Sequence, residues 1–496
     1  MSKLNGSGRL STGITGLDAI LKGGLPQHRL QLIEGDPGTG KTTLGMQFLL
    51  AGAARGETGL YITLSESADE LQAVAESHGW NLDGVVILDL TESRNALEEN
   101  AGYTVFHPSE IELDETTRLI LDEVDRVKPR RIVFDSLSEM RMLASDALRF
   151  RRQVLALKQY FLGKQITVLL LDDKTTNLPD RQLESVAHGV ISLEYVPVEY
   201  GRQRHALRVV KMRGINFQSG FHDFNIETGG IVVFPRLSPD VKVEGGGDVL
   251  SSGSKHLDGL LGGLHYGTST IFIGPAGVGK STLAMMYVCA AIEKGERAAV
   301  YLFDESPEVL FKRTSSIGLD IQKYVEDGRL ALRQIQLAEL TPGELSYMVS
   351  REVEEEGTRV VVIDSVNGYL MATPQEKFLT MQFHELLAYL NRNGVVSSLV
   401  VGQYGLIGSM QTPIDMSYLA DTVVLLRYFE AEGTVHQAIS VLKKRAGQHE
   451  RTIREFKIGK GGLLLGEPLK EFRGVLTGVP TFRGDAGTLM HKSVKK

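Results

Sequence analysis

Cysteine is almost missing from this sequence: Cys289 is the single thiol in 496 residues. That excludes an intrachain disulfide framework and any zinc site built on several cysteines, and a reducing cytosol fits it. Proline is scarce too, at 15 residues, while glycine reaches 54. Such a mixture calls for many tight turns rather than a disordered chain. Apolar runs such as Ile166 to Leu171 are strand-sized, far short of the roughly 20 residues that cross a bilayer. No basic-then-apolar leader opens the chain, so the expectation is a cytoplasmic protein without a membrane span. Positive charge is not in surplus: 54 Lys and Arg face 61 Asp and Glu, a net −7. That balance argues against nucleic acid as the main partner. The 12 histidines are scattered and form no H-E-x-x-H. His384-Glu385 reads as part of an amphipathic helix and Trp80 as core packing, so no metal beyond magnesium is expected.

What the chain does contain is a repeat. LSTGITGLD, Leu10 to Asp18, recurs as LSSGSKHLD, Leu250 to Asp258, and GDPGTGKTT at Gly35 recurs as GPAGVGKST at Gly274. IVFDS around Asp135 answers to VVIDS around Asp364, and VVKMRG around Lys211 to VLKKRAG around Lys443. Two copies of one architecture follow. We place the domains at 1–235 and 249–482, with a linker at 236–248 and a short tail at 483–496. Proline and a triple glycine in PRLSPDVKVEGGGD cannot continue a helix or a central strand. In the first copy, strands are expected at Leu30–Glu34, Leu60–Leu64, Val85–Leu88, Arg131–Phe134 and Ile166–Leu171. Helices are expected at Thr42–Ala54, Ala68–His78, Thr116–Val127 and Ala147–Leu162. Near-continuous apolar strands alternating with helices imply an α/β domain whose mostly parallel sheet is covered on both faces. After Val190, two strands around Gly-Arg-Gln-Arg predict an antiparallel extension.

Both glycine loops match G-x-x-x-x-G-K-[ST]. The first comprises Gly35, Asp36, Pro37, Gly38, Thr39, Gly40, Lys41, Thr42 and Thr43. The second comprises Gly274, Pro275, Ala276, Gly277, Val278, Gly279, Lys280, Ser281 and Thr282. Glycines let main-chain amides curl around phosphates, and the following helix points its positive end at them. The lysine reaches the β- and γ-phosphates of ATP, while Thr42 or Ser281 coordinates Mg²⁺. A strand before and a helix after complete the context. Asp135 and Asp364 each end an apolar run, where a Walker-B acid holds the metal.

A carboxylate is also needed to orient or deprotonate the attacking group. Ser65-Glu66 stands after the second strand of the first copy and Asp304-Glu305 after that of the second. Adjacent residues leaving a strand point in opposite directions. If the first of each pair faces the nucleotide, Asp304 is the base of the second copy and the first copy offers only a serine. Helix capping by Ser65 or Asp304 is the competing reading. Lys211 with Arg213, and Lys443 with Arg445, alternate onto one face of a late strand. They are either a solvated edge or cations supplied to a neighbouring subunit's nucleotide, and the second role requires a ring.

From Leu10 to about Thr481 the sequence resembles the KaiC family of double-domain RecA-like ATPases. The LSTGxxxLD opening, the paired phosphate loops, the DS-ending strands, the K-x-R segments, ESHGWNLD and TIREFKIGKGG all carry the likeness. The resemblance implies two tandem RecA-like P-loop NTPase domains. It also implies a homo-hexameric double ring with ATP and Mg²⁺ between subunits, slow hydrolysis, and autophosphorylation by the C-terminal ring. Family members place two glutamates after the second strand, the first being the base. Asp304 keeps a carboxylate there and Ser65 does not, which leaves Glu66 to act in the first ring beside Asp304 and Glu305 in the second. The family's phosphoacceptor pair falls on Ser417 and Tyr418, with Glu184 at the matching place in the first copy. The tail after Thr481 does not match the family's regulatory tail, so control by the clock partners is not expected and the signalling partner is unknown. Two other classes compete: a RecA/RadA-like DNA-dependent ATPase, disfavoured by net charge and the single cysteine, and a nucleotide-gated scaffold with little turnover.

Overall fold

Segments such as Leu30–Gly35 and Thr167–Asp173 are buried at almost every position because both of their faces are covered, and each lies inside a nine-stranded sheet. The computed structural model describes residues 8–91, 108–144, 146–174, 181–197, 201–237, 247–336, 340–371, 376–403, 418–431, 433–460, 462–475 and 481–482. The chain divides into two compact units, the first of Met1–Val198 with Gln203–Arg236 and the second chiefly of Leu237–Lys496.

The N-terminal sheet is built from β1 (Leu30–Gly35), β2 (Gly59–Thr63), β3 (Val85–Asp89), β4 (Arg131–Asp135), β5 (Thr167–Asp173), β6 (Gly189–Val196), β7 (Arg204–Met212), β8 (Phe221–Glu227) and β9 (Gly230–Phe234). Their order across the sheet is β9-β8-β7-β6-β1-β5-β4-β2-β3. Strands β6, β1, β5, β4, β2 and β3 run parallel, and β7, β8 and β9 continue antiparallel. Helices α1 (Lys41–Ala53), α2 (Ala68–Ser77), α3 (Pro108–Val127), α4 (Ala147–Gly163) and α5 (Arg181–Val186) belong to the unit, beside short helices at Thr15–Ile20 and Leu137–Leu143. The antiparallel extension is longer than the two strands expected: a tight turn at Thr228-Gly229, with Gly229 at φ +103°, folds β9 back on β8. Helix α3 also begins earlier than expected, at Pro108.

Alternation along β4 divides the core. Ile132 and Phe134 pack with α3 and α4, through Ile120, Val124, Val154 and Phe161, while Val133 packs with Leu44, Phe48 and Leu49 of α1. Trp80 lies half-buried against that second cluster, as expected of a packing residue. The C-terminal unit repeats the plan with β10 (Ser269–Gly274), β11 (Arg297–Leu302), β12 (Leu330–Gln334), β13 (Thr358–Asp364), β14 (Val396–Gly402), β15 (Thr422–Ala431), β16 (Thr434–Lys444), β17 (Arg454–Gly459) and β18 (Gly462–Pro468). Its order, β18-β17-β16-β15-β10-β14-β13-β11-β12, is the same sequence of positions. Helices α6 (Lys280–Glu293) and α7 (Pro307–Ser316) correspond to α1 and α2. The shared opening motif also has one physical basis. Asp18 accepts from Ser11 Oγ at 2.6 Å and Thr12 N at 2.8 Å, and Asp258 accepts from Ser252 N at 2.8 Å. No described helix is long and apolar enough to cross a membrane.

One buried charge fastens the N-terminal unit. Arg131, at the start of β4, is fully buried and pairs with Glu57 at 2.6 Å while donating to the carbonyls of Ser11 and Phe48, both at 2.8 Å. Removing the acid strands a guanidinium away from water. Glu57→Ala is therefore expected to lower the unit's stability by about 3 kcal/mol, the low end for a broken buried pair because Glu57 keeps some solvent contact. Denaturant unfolding followed by the fluorescence of Trp80, the chain's one tryptophan, measures it. Asp125→Ala, which removes the exposed partner of Lys164, leaves the midpoint in place.

Candidate functional site

Each phosphate loop is held at the C-terminal end of the central strand by glycine conformations that other residues resist. Gly38 and Gly40 adopt φ +80° and +90°, and Gly277 and Gly279 adopt +74° and +105°. A methyl group on Gly40 would stand 2.8 Å from Ile226 Cδ1, and one on Gly35 2.6 Å from Thr39 Oγ1. Tyr195 donates to the Pro37 carbonyl and Tyr428 to the Ala276 carbonyl, each at 3.3 Å, so both loops are braced at the same corner. Thr39 Oγ1 donates to Asp36 O at 2.8 Å. The amides at the start of α1 and α6 have no side-chain cap, which leaves a helix mouth suited to an anion.

The lysines differ between the copies. Lys41 Nζ donates to Gly35 O at 3.0 Å and Asp36 O at 2.9 Å, and it pairs with Asp173 at 2.7 Å. Lys280 Nζ donates to Pro275 O at 2.7 Å; burial pushes its ammonium down to about 8, against the opposing pull of Asp364.

Asp135 and Asp364 end β4 and β13 and are both buried. Each is joined to the following serine by a cis peptide bond. Thr42 Oγ1 lies 3.2 Å from Asp135 Oδ2, which also accepts from Tyr61 at 2.6 Å. Burial raises the Asp135 carboxyl, and the Tyr61 and Thr42 bonds pull it back. The register-equivalent of Tyr61 is Val300. Asp364 is likewise raised by burial, with Ser281 and Arg313 opposing, and its Oδ2 is buried without a partner. A hydroxyl, a carboxylate and an orphaned acceptor are hard oxygen ligands, a set that fits a magnesium ion retaining several waters.

The pairs after the second strand are resolved in an unexpected way. Ser65 is exposed, and Glu66 turns inward with Oε2 buried and unpartnered. Burial and then Asp135 raise the Glu66 carboxyl, with Asp173 adding and Lys41 opposing. Its equivalent, Glu305, is gripped by both arms of Arg313 at 2.6 and 3.1 Å, and Arg313 also donates to Thr282 Oγ1 at 3.1 Å. Asp304 is exposed and accepts from Ser365 Oγ.

The late cations lie elsewhere. Arg213 is level with Leu30 through the His188 backbone, and Arg445 with Ser269 through Asp421. Those positions are five residues, about 16 Å at ~3.3 Å per residue, from the glycine that opens each loop. Lys211 donates to Glu184 O, Arg213 to Ser185 O at 3.2 Å, Lys443 to Ala420 O at 2.7 Å, and Arg445 to Tyr418 O at 3.3 Å. A chain does not bring these side chains to its own loop. Tyr418 is exposed, and Ser417 lies outside the described residues.

Sequence reasoning missed Asp173, Tyr61 and Arg313. The repeat held the signal for the first: VLLLDDK in one copy stands opposite SSLVVGQ in the other, so Asp173 answers to Gly402. Tyr61 and Arg313 replace apolar residues of the opposite copy, and only packing shows where their polar ends go.

The sequence matches the family described as "ATPase: KaiC" over residues 10–238 and 250–470. It is 27% identical to the circadian clock protein KaiC3 of Synechocystis sp., covering 96% of this chain and 95% of that one. It is 29% identical to the circadian clock protein KaiC2 of Synechocystis sp., covering 94% and 83%. Identity to the circadian clock oscillator protein KaiC of Thermosynechococcus vestitus is 27%, covering 95% and 92%.

Because Asp135 depends on Tyr61 for a buried donor, Tyr61→Phe is expected to destabilise the N-terminal unit by about 1.5–3 kcal/mol, the worth of a hydrogen bond to a charged group. Unfolding followed at Trp80 reads this loss, and Val300→Ala in the other unit leaves that transition unmoved.

Proposed function

The chain belongs to the KaiC family of ATPases, and we propose that it is a Mg²⁺-dependent ATPase that works as a homo-hexameric double ring and signals through serine autophosphorylation in its C-terminal ring. The amides of each loop take the triphosphate, with Lys41 or Lys280 on its outer oxygens. Thr42 with Asp135, and Ser281 with Asp364, would hold the magnesium, which supplies charge neutralisation across the β- and γ-phosphates. Glu66 in the first unit and Asp304 in the second draw the proton from the attacking water. Asp304 does the same for the Ser417 hydroxyl, and Tyr418 is the neighbouring acceptor. Glu305 is held by Arg313 and positions rather than deprotonates.

One observation carries the reading: Lys211, Arg213, Lys443 and Arg445 sit at the far end of the central strand from their own phosphate loops, in both units alike. Cations so placed suit the nucleotide of an adjacent copy, and head-to-tail contacts of that kind close into rings. The protein is proposed to act in the cytoplasm, where its one buried thiol stays reduced. Its signalling partner is a protein that reads the phosphorylation state.

Lys41→Ala with Lys280→Ala is expected to abolish ATP retention and the hexamer mass in native mass spectrometry; retention of both would end the proposal. Asp304→Asn is expected to slow phosphate release by the C-terminal ring about 10²-fold or more, the usual worth of a general base, while Glu305→Gln has a smaller effect. Label from [γ-³²P]ATP on the protein should vanish in Ser417→Ala.

A further inference from the structure

Lys41 has three N–H donors, and all three are engaged: with Gly35 O at 3.0 Å, with Asp36 O at 2.9 Å, and with the Asp173 carboxylate at 2.7 Å. The first two partners are carbonyls of the phosphate loop itself. Asp173 comes from outside the loop, at the tip of β5, where the parallel ladder sets it level with Gly35. In the C-terminal unit the residue level with Gly274 is Gly402, which has no side chain to offer Lys280.

We propose that Asp173 competes with the terminal phosphate of a nucleotide for Lys41, so that the N-terminal site discriminates against nucleoside triphosphate in favour of diphosphate, relative to the C-terminal site. The inference rests on both loops being nucleotide sites. A terminal phosphate that reaches Lys41 meets an acid already paired there, with Asp135 and Glu66 close behind. To bind, it must displace Asp173 and then lie beside it. A diphosphate brings less charge to that point. Repulsion built against one of two similar ligands is how specificity is set when attraction alone does not separate them. Asp173 is 29% exposed, so it can swing toward solvent, and triphosphate binding is weakened rather than abolished. The device also belongs to one copy only, so the two sites of one chain fill at different ratios of ATP to ADP.

The test uses the full-length protein with one site silenced. In the Lys280→Ala background, binding of Mg·AMP-PNP and Mg·ADP is measured by isothermal titration with and without Asp173→Asn. Removing one close like charge is expected to tighten AMP-PNP about tenfold while ADP changes less than about threefold. Asp173→Ser serves if the asparagine variant does not fold. The reciprocal change, Gly402→Asp in the Lys41→Ala background, is expected to weaken AMP-PNP by a similar factor. A Cβ there stands 3.4 Å from Asn367 atoms, an ordinary van der Waals contact. An unchanged ratio of the two affinities, or weaker AMP-PNP binding after Asp173→Asn, overturns the inference while leaving the phosphate loop as a nucleotide site. Binding of neither nucleotide, with or without Asp173, overturns the site assignment and the inference together.

Discussion

Parallel pairing around one central strand is the constraint from which the rest of each unit follows. Strand β1 lies between β5 and β6, so Gly35 ends level with Asp173 on one side and Leu193 on the other. Strand β4 pairs beyond β5 and ends in Asp135, and β2 pairs beyond β4 and leads into Glu66. Residues separated by more than a hundred positions thus finish along one sheet edge, the edge where ligands of open α/β sheets bind. Register is therefore chemistry here. A slip of one residue would turn Asp135 to the opposite face of the sheet.

The same frame is wired differently in the two copies. The N-terminal site gathers three acids, Glu66, Asp135 and Asp173, around Lys41, and Tyr61 supplies a donor from below. In the C-terminal site Gly402 removes one acid, Val300 removes the donor, and Arg313 neutralises Glu305. Arg313 stands eight residues after its glutamate, and the residue eight after Glu66 is Val74. The N-terminal cluster therefore carries more unbalanced negative charge close to where phosphate would bind. Burial works against this at Glu66, whose carboxyl it raises by disfavouring the charged form.

Much of this was legible in the sequence, for identifiable reasons. The doubled glycine loops, Asp135, Asp364 and the parallel strands could be read because main-chain demands and two-sided burial restrict residue type. The start of α3 and the strands β8 and β9 were less visible, and FHDFNIE carries polar residues through an edge region where one side meets water. The orientation of Glu66 was not legible at all. Ser65 and Glu66 leave the strand in a turn closed by Thr63 Oγ1, which donates to Glu66 O at 2.6 Å and accepts from Glu66 N at 3.1 Å. That local clasp, rather than strand alternation, decides which of the two faces inward. Asp173 was hidden for another reason: its meaning depends on a neighbour supplied by the ladder and not by the chain.

In the proposed function, phosphate capture and phosphate chemistry rest on different parts of the polypeptide, and this would let the copies diverge. Capture uses amides whose directions are set by glycine conformations at 38, 40, 277 and 279, so exchanging nearby side chains leaves the cradle intact. Chemistry needs a carboxylate of suitable reach and basicity, and there one copy has Asp304 held by Ser365 while the other has Glu66 free at one oxygen. A duplicated chain can alter the second property without losing the first. In the proposed ring, a site that turned over slowly would still hold nucleotide, which a subunit boundary completed by a neighbour's cations would require. Divergence at Ser65 is thus compatible with the proposed ring, because the groups proposed to bind and those proposed to react are separable.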